Sequence, residues 1–119
     1  MIALAGGRPI FLATGVTDLR LGYNGLYARI AEHLAQEPLG GAVFVFCNRR
    51  RDAVKLFCYD AGGFWVCAKR LEQGTFRWPG SGTRTVQLTA TELKLLLSGI
   101  DLTRTRLRRW WQPVGADSR

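Results

Sequence analysis

One histidine and three cysteines are all that this chain of 119 residues offers to a soft metal or to nucleophilic catalysis. His33 is distant in sequence from Cys47, Cys58 and Cys67, and no Cys-x-x-Cys pair occurs. Zinc sites draw their ligands from such pairs, so neither a metal nor a cofactor is expected. The same shortage denies a serine or cysteine nucleophile its histidine base. The nine carboxylates are scattered singly, without the paired spacing that acid–base chemistry uses. Asp52 and Asp60 stand where turns favour aspartate in any case. No glycine-rich phosphate loop is present. These absences point away from an enzyme and from a small-molecule ligand.

Long apolar runs are missing as well. None approaches the roughly 20 residues of a membrane-spanning helix. Met1 to Gly7 is apolar but lacks the basic start of a secretion signal. An odd cysteine count without an export signal is the pattern of reduced thiols, so a cytoplasmic protein with three free cysteines is expected.

Positive charge is plentiful. Seventeen Lys and Arg against nine Asp and Glu give a formal charge of +8. Fourteen of the seventeen are arginine, the residue whose planar fork suits phosphate. The excess is an argument about polyanionic partners and says nothing about fold.

From Val43 to Pro79, runs of β-branched and aromatic residues alternate with clusters of turn formers, the signal of consecutive hairpins. Strands are expected at Val43 to Cys47, Ala53 to Tyr59 and Phe64 to Leu71, with a short fourth at Thr75 to Trp78, stopped by Pro79. The first hairpin tip carries Arg49, Arg50 and Arg51. A five-residue loop from Asn48 to Asp52 pairs Phe46 with Val54, and a loop from Asp60 to Gly63 pairs Tyr59 with Phe64. One face then holds Phe44, Phe46, Val54, Leu56, Cys58, Trp65, Cys67 and Leu71, and reads as core. The other holds Val43, Val45, Cys47, Lys55, Phe57, Tyr59, Phe64 and Val66, and is either covered by a second helix or a surface for binding. A one-residue slip exchanges these sets.

Around the meander, Pro9 to Ala13 reads as a strand and Thr17 as a helix cap with Asp18 in the first turn. Gly22 and Asn24-Gly25 interrupt that helix, and a cleaner one from Gly25 to Ala35 carries Leu26, Ile30 and Leu34 on one stripe. Thr85 to Leu88 reads as a brief added strand. Thr89 to Glu92 is a capping box that opens a short helix ended by Gly99. The expected fold is therefore α+β: a single domain over residues 1–102, an antiparallel meander of four to five strands with one helix on a face and a short C-terminal helix. Residues 103–119 form a basic, aromatic tail in which Arg104, Arg106, Arg108 and Arg109 precede Trp110 and Trp111. Arginine beside aromatics can contact phosphates and stack on exposed bases. Tryptophans packed on the sheet with solvated arginines are the equal alternative.

Phe11-Leu12-Ala13-Thr14-Gly15-Val16-Thr17-Asp18-Leu19-Arg20 and Gly22 to Leu26 resemble the opening motif of the TnpB accessory proteins, small second products of transposons in insertion sequence family sixty-six. The similarity runs on through Asn48 to Asp52, Lys69 to Gly74 and Phe76 to Pro79, and ends near Asp101. Where many relatives have glycine, this chain has Arg51. The cysteines and Trp110-Trp111 lie outside the match. The resemblance implies a part in transposition beside a separate transposase, and it carries no catalytic residues across. Its motif positions, Thr17, Asp18, Arg20, Asn48 to Arg51, Lys69, Arg70, Arg77 and Trp78, become candidates for a shared function.

Two functions fit. In the first, DNA at the transposon ends is bound through Arg20, Arg49, Arg50, Arg51, Lys69, Arg70, Arg77 and the tail. In the second, the aromatic face with Phe57, Tyr59 and Phe64 docks on the transposase or on another accessory protein of the element.

Overall fold

The computed structural model describes residues 7–80 and 82–99. Five strands make one sheet: β1 (Ile10–Ala13), β2 (Val43–Cys47), β3 (Ala53–Asp60), β4 (Gly63–Arg70) and β5 (Thr85–Leu88). Their order across the sheet is β4-β3-β2-β1-β5. β2, β3 and β4 are the antiparallel meander, and β5 runs antiparallel to β1. β1 lies parallel to β2, with Ile10 opposite Val43. Parallel neighbours need a crossover, and helix α1 (Tyr23–Ala28), continued by a wider π-helical turn at Arg29–His33, supplies it. The second helix, α2 (Ala90–Leu97), begins at the capping box: the Thr89 hydroxyl accepts from the Glu92 amide, and the Glu92 carboxylate accepts from the Thr89 amide. Gly99, at φ 81°, ends it as expected.

A helix lies on each face of the sheet. Leu26, Ile30 and Leu34 pack with Phe44, Phe46 and Phe57 on one side. Leu93, Leu96 and Leu97 pack with Val43, Val45 and Leu56 on the other. β2 is thus buried at all five positions, which is why its sequence runs apolar without alternation.

The hairpin between β3 and β4 has the expected register, with Tyr59 opposite Phe64 and Phe57 opposite Val66. Its turn places Ala61 at φ 50° and Gly62 at φ 83°, the two positive values of a tight two-residue connection. The β2–β3 hairpin differs by one residue. Phe46 faces Lys55, and Cys47 faces Val54. The cause is Asn48, whose amide donates to the Ala53 carbonyl at 3.2 Å and extends the ladder one step, so the loop shrinks to Arg49 through Asp52. Phe44 and Phe46 therefore join Phe57 under α1, while Val43, Val45 and Cys47 join Leu56 under α2.

Three further expectations are corrected. Trp65 is 52 % exposed rather than core, because it sits on the edge strand β4. Thr75 to Trp78 is not a strand; its backbone turns instead to the arginine tip, where the Phe76 amide donates to the Arg51 carbonyl at 2.7 Å. Thr17 caps no helix: its amide donates to the Cys47 carbonyl at 2.9 Å, and the first helix starts at Tyr23.

Cys47 and Cys58 are buried, Cys67 is half-buried, and none is bridged. Burial pushes both buried thiols above their ordinary pKa, an effect partly offset at Cys47 by the neighbouring Arg51. Since the thiolate is the reactive form, one group per native chain, Cys67, should react promptly with a thiol reagent at neutral pH. Three should react after denaturation. Prompt reaction of all three in the native protein would contradict this burial.

A candidate nucleic-acid interface

The site is built where β1 and β2, being parallel, both end. The loop after β2 is held by Asn48, whose side-chain oxygen accepts from the Asp52 and Ala53 amides while its nitrogen donates to the Asp52 carboxylate at 2.7 Å. Asparagine is suited to this because its short amide can satisfy loop backbone that the ladder leaves over. Arg51 occupies the left-handed region at φ 61°, the conformation glycine adopts without strain.

The three tip arginines do not share one role. Arg49 and Arg50 are exposed, and the Arg50 side chain is 85 % accessible. Arg50 approaches Asp52 only to 3.9 Å, too far for a hydrogen bond. Arg51 turns inward: its guanidinium lies over the Trp78 ring, 5.8 Å from the centroid. Trp78 is fixed in turn by its indole N–H, which donates to the Ala13 carbonyl at 2.9 Å.

The loop after β1 carries the other half of the motif. Asp18 accepts from both the Nε and a terminal nitrogen of Arg20, at 3.0 and 2.8 Å, and from the Arg20 amide. Those side-chain bonds, then the backbone bond, hold the Asp18 carboxyl at a pKa of about 2. Arg20 remains 92 % exposed. Arg29 of the helix reaches back and donates to the Val16 carbonyl at 3.0 Å.

Arg70 stands opposite Ala53 at the same end of the sheet, and Arg77 follows Phe76, which is bonded to the tip. Both are exposed. Lys69 behaves differently, its ammonium donating to the Leu97 carbonyl at 2.8 Å. A cation there satisfies a helix C-terminus and complements its dipole. Arg104, Arg106, Arg108, Arg109, Trp110 and Trp111 lie outside the described residues.

The fold thus gathers Arg20, Arg49, Arg50, Arg70 and Arg77 at one end of the sheet. It adds Arg29, which sequence reasoning missed because on a helix it reads as one more solvated cation. Between the two loops lies a cleft of about 560 Å³, walled by Val16 to Leu19, Arg29 and Asn48 to Arg50. The aromatic face is mostly closed: Phe57 is fully buried, and Phe64 packs against Tyr23, Tyr27 and Tyr59. Tyr23, Phe64 and Trp65 stay exposed at 52, 37 and 52 %. Among the described residues, no helix is long and apolar enough to cross a membrane.

Comparison with known proteins follows the same residues. The family model described as IS66 Orf2 like protein matches residues 8–107. An uncharacterised protein of Sinorhizobium fredii, y4hO, is 38 % identical over 92 residues, covering 77 % of this chain and 80 % of its own length. A second from the same organism, y4jC, is 34 % identical over 114 residues, covering 96 % of this chain and 97 % of its own. No solved structure matches.

Proposed function

We propose that this chain, which belongs to the IS66 Orf2-like family, is a non-catalytic accessory of transposition that binds DNA at the transposon ends. The observation that carries the reading is the convergence of exposed arginines from four separate segments on one end of the sheet. Arginines spread on a solvated surface have no reason to collect there. A cluster of exposed guanidinium groups gives sequence-independent phosphate affinity, which positions a protein on a duplex without reading its bases. Membership in the family supports the transposition role. Among these arginines only Arg20 is neutralised, by Asp18, and Arg50 is weakly opposed by Asp52.

Docking on the transposase is the second reading, favoured by exposed Tyr23, Phe64 and Trp65 at the β4 side of the sheet. Tyr23 on α1 and Phe64 on β4 touch each other on one face, with Trp65 on the opposite face of the same edge strand, and exposed aromatics of this kind can serve as contacts. Fluorescence anisotropy of a labelled transposon-end duplex, with and without the transposase, separates the two. Saturable binding by this protein alone, weakening steeply with salt, is the expected result. Binding that requires the transposase at every salt concentration would leave only the docking role.

A further inference from the structure

The cleft between the β1 and β2 loops has an inner wall that the function so far leaves unused. Thr17 is 1 % exposed, and its hydroxyl has no hydrogen-bond partner among the described residues. Arg29, beside it, donates one terminal nitrogen to Val16 but leaves its Nε–H unpartnered. Buried polar groups without partners are unfavourable and uncommon in folded proteins. Here two occur on the same wall. Opposite them, Arg49 and Arg50 present further donors from the hairpin tip. Asp18 also lines the cleft, but Arg20 grips both of its oxygens. The balance is three arginines against one neutralised carboxylate.

The Thr17 hydroxyl can donate or accept, whereas the three arginines only donate and carry positive charge, so the ligand they favour is rich in acceptors and negatively charged. A guanidinium with a free Nε–H matches tetrahedral oxyanions well. The volume, about 560 Å³, exceeds what a bare anion fills and falls in the range of about 300–1,000 Å³ usual for organic ligands. Val16 and Leu19 offer apolar surface for a sugar, and no aromatic ring lines the cleft to stack on a base.

We propose that this cleft is a phosphate seat, in which Thr17, Arg29, Arg49 and Arg50 hold one phosphoryl group of a nucleic-acid strand with its sugar, the base remaining outside. The nucleic-acid reading above supplies only the source of the phosphate; the seat itself rests on the unpartnered donors. Because the base stays outside, the seat fixes the register of the protein on a strand and contributes nothing to sequence choice.

Titration of the full-length, nitrogen-15-labelled protein tests this, first with inorganic phosphate and then with a thymidine dinucleotide carrying one internal phosphate. The Thr17 amide and the Arg29 Nε–H signals should shift and saturate together. Thr17→Val removes the hydroxyl and keeps the branched shape, so it should melt no lower than the parent and bind the dinucleotide about tenfold more weakly. A fall in melting temperature without loss of affinity would make Thr17 merely structural and overturn the seat, as would unmoved Thr17 and Arg29 signals in the parent. If inorganic phosphate saturates the site while neither dinucleotide nor duplex binds, the seat stands as a free-phosphate site and the nucleic-acid reading fails. If Thr17→Val binds a transposon-end duplex as tightly as the parent, the seat is abandoned while the nucleic-acid reading survives.

Discussion

Replacing Phe57 by alanine should lower the free energy of unfolding by about 3–5 kcal/mol, while Trp65→Ala should cost about 1 kcal/mol or less. Phe57 is fully buried under α1 with Phe44 and Phe46 around it. Its truncation removes the transfer free energy of a ring and leaves a cavity that the rigid sheet cannot collapse around. Trp65 is the larger side chain but is half exposed on an edge strand, so little of its area is withdrawn from water on folding. The expectation that takes the Trp65 face as core reverses this order, because it buries Trp65 and leaves Phe57 on the other face. Urea unfolding of the two variants, compared at equal m-value, therefore tests which of the two rings is core. A Trp65→Ala protein as damaged as Phe57→Ala would contradict the half-exposed placement of Trp65 on the edge strand.

Replacing Arg49 and Arg50 together should leave stability near the parent value and reduce DNA affinity by a similar factor on any duplex sequence. Each phosphate contact contributes roughly 0.9 to the slope of log affinity against log salt. Because both arginines serve the one phosphoryl group of the proposed seat, their loss should flatten that slope by about 0.9. Arg51 is left out of the pair deliberately. Its guanidinium packs on Trp78 and its backbone is left-handed, so a triple replacement would mix a folding effect with a binding effect. Anisotropy titrations at several salt concentrations give the slope directly. An unchanged slope with parental affinity would remove the hairpin tip from the interface. If the same protein then failed to bind the transposase, the docking role would gain what the DNA role lost.

Much of the fold was legible because turn chemistry is local. The capping box at Thr89 and Glu92 names its own helix, and Gly62 marks a tight turn whose pairing follows from it. The β2–β3 register was not legible, since it is set by the side chain of Asn48 folding back on loop amides and by a left-handed Arg51. An arginine gives no sign of that conformation, whereas glycine would have. Trp65 was misplaced because nothing in its own strand marks β4 as the edge of the sheet, where a large ring stays half exposed. The parallel pairing of β1 with β2 depends on contacts between distant segments, and no pattern inside either strand announces it. At the candidate site, Arg20, Arg49, Arg50, Arg70 and Arg77 could be found from their motifs. Arg29 could not, because only the crossover helix brings it back to the β1 loop, and Thr17, a candidate by resemblance, is set beside the β2 loop by its bond to Cys47.

The interior position of β1, between β2 and β5, also bears on how the chain assembles as it is made. Ile10 pairs with Val43 on one side and with Leu88 on the other. Of the five described strands, β1 is made before both of its neighbours, and the second is available only after β5 has been synthesised. The β2–β3–β4 meander, by contrast, joins neighbours through short turns and involves little loop closure. Until β5 is available, β1 exposes an unpaired edge and an apolar run, and transient edges of that kind are where nascent chains associate wrongly. Placing the last strand against the first makes completion of the sheet wait for nearly the whole described domain.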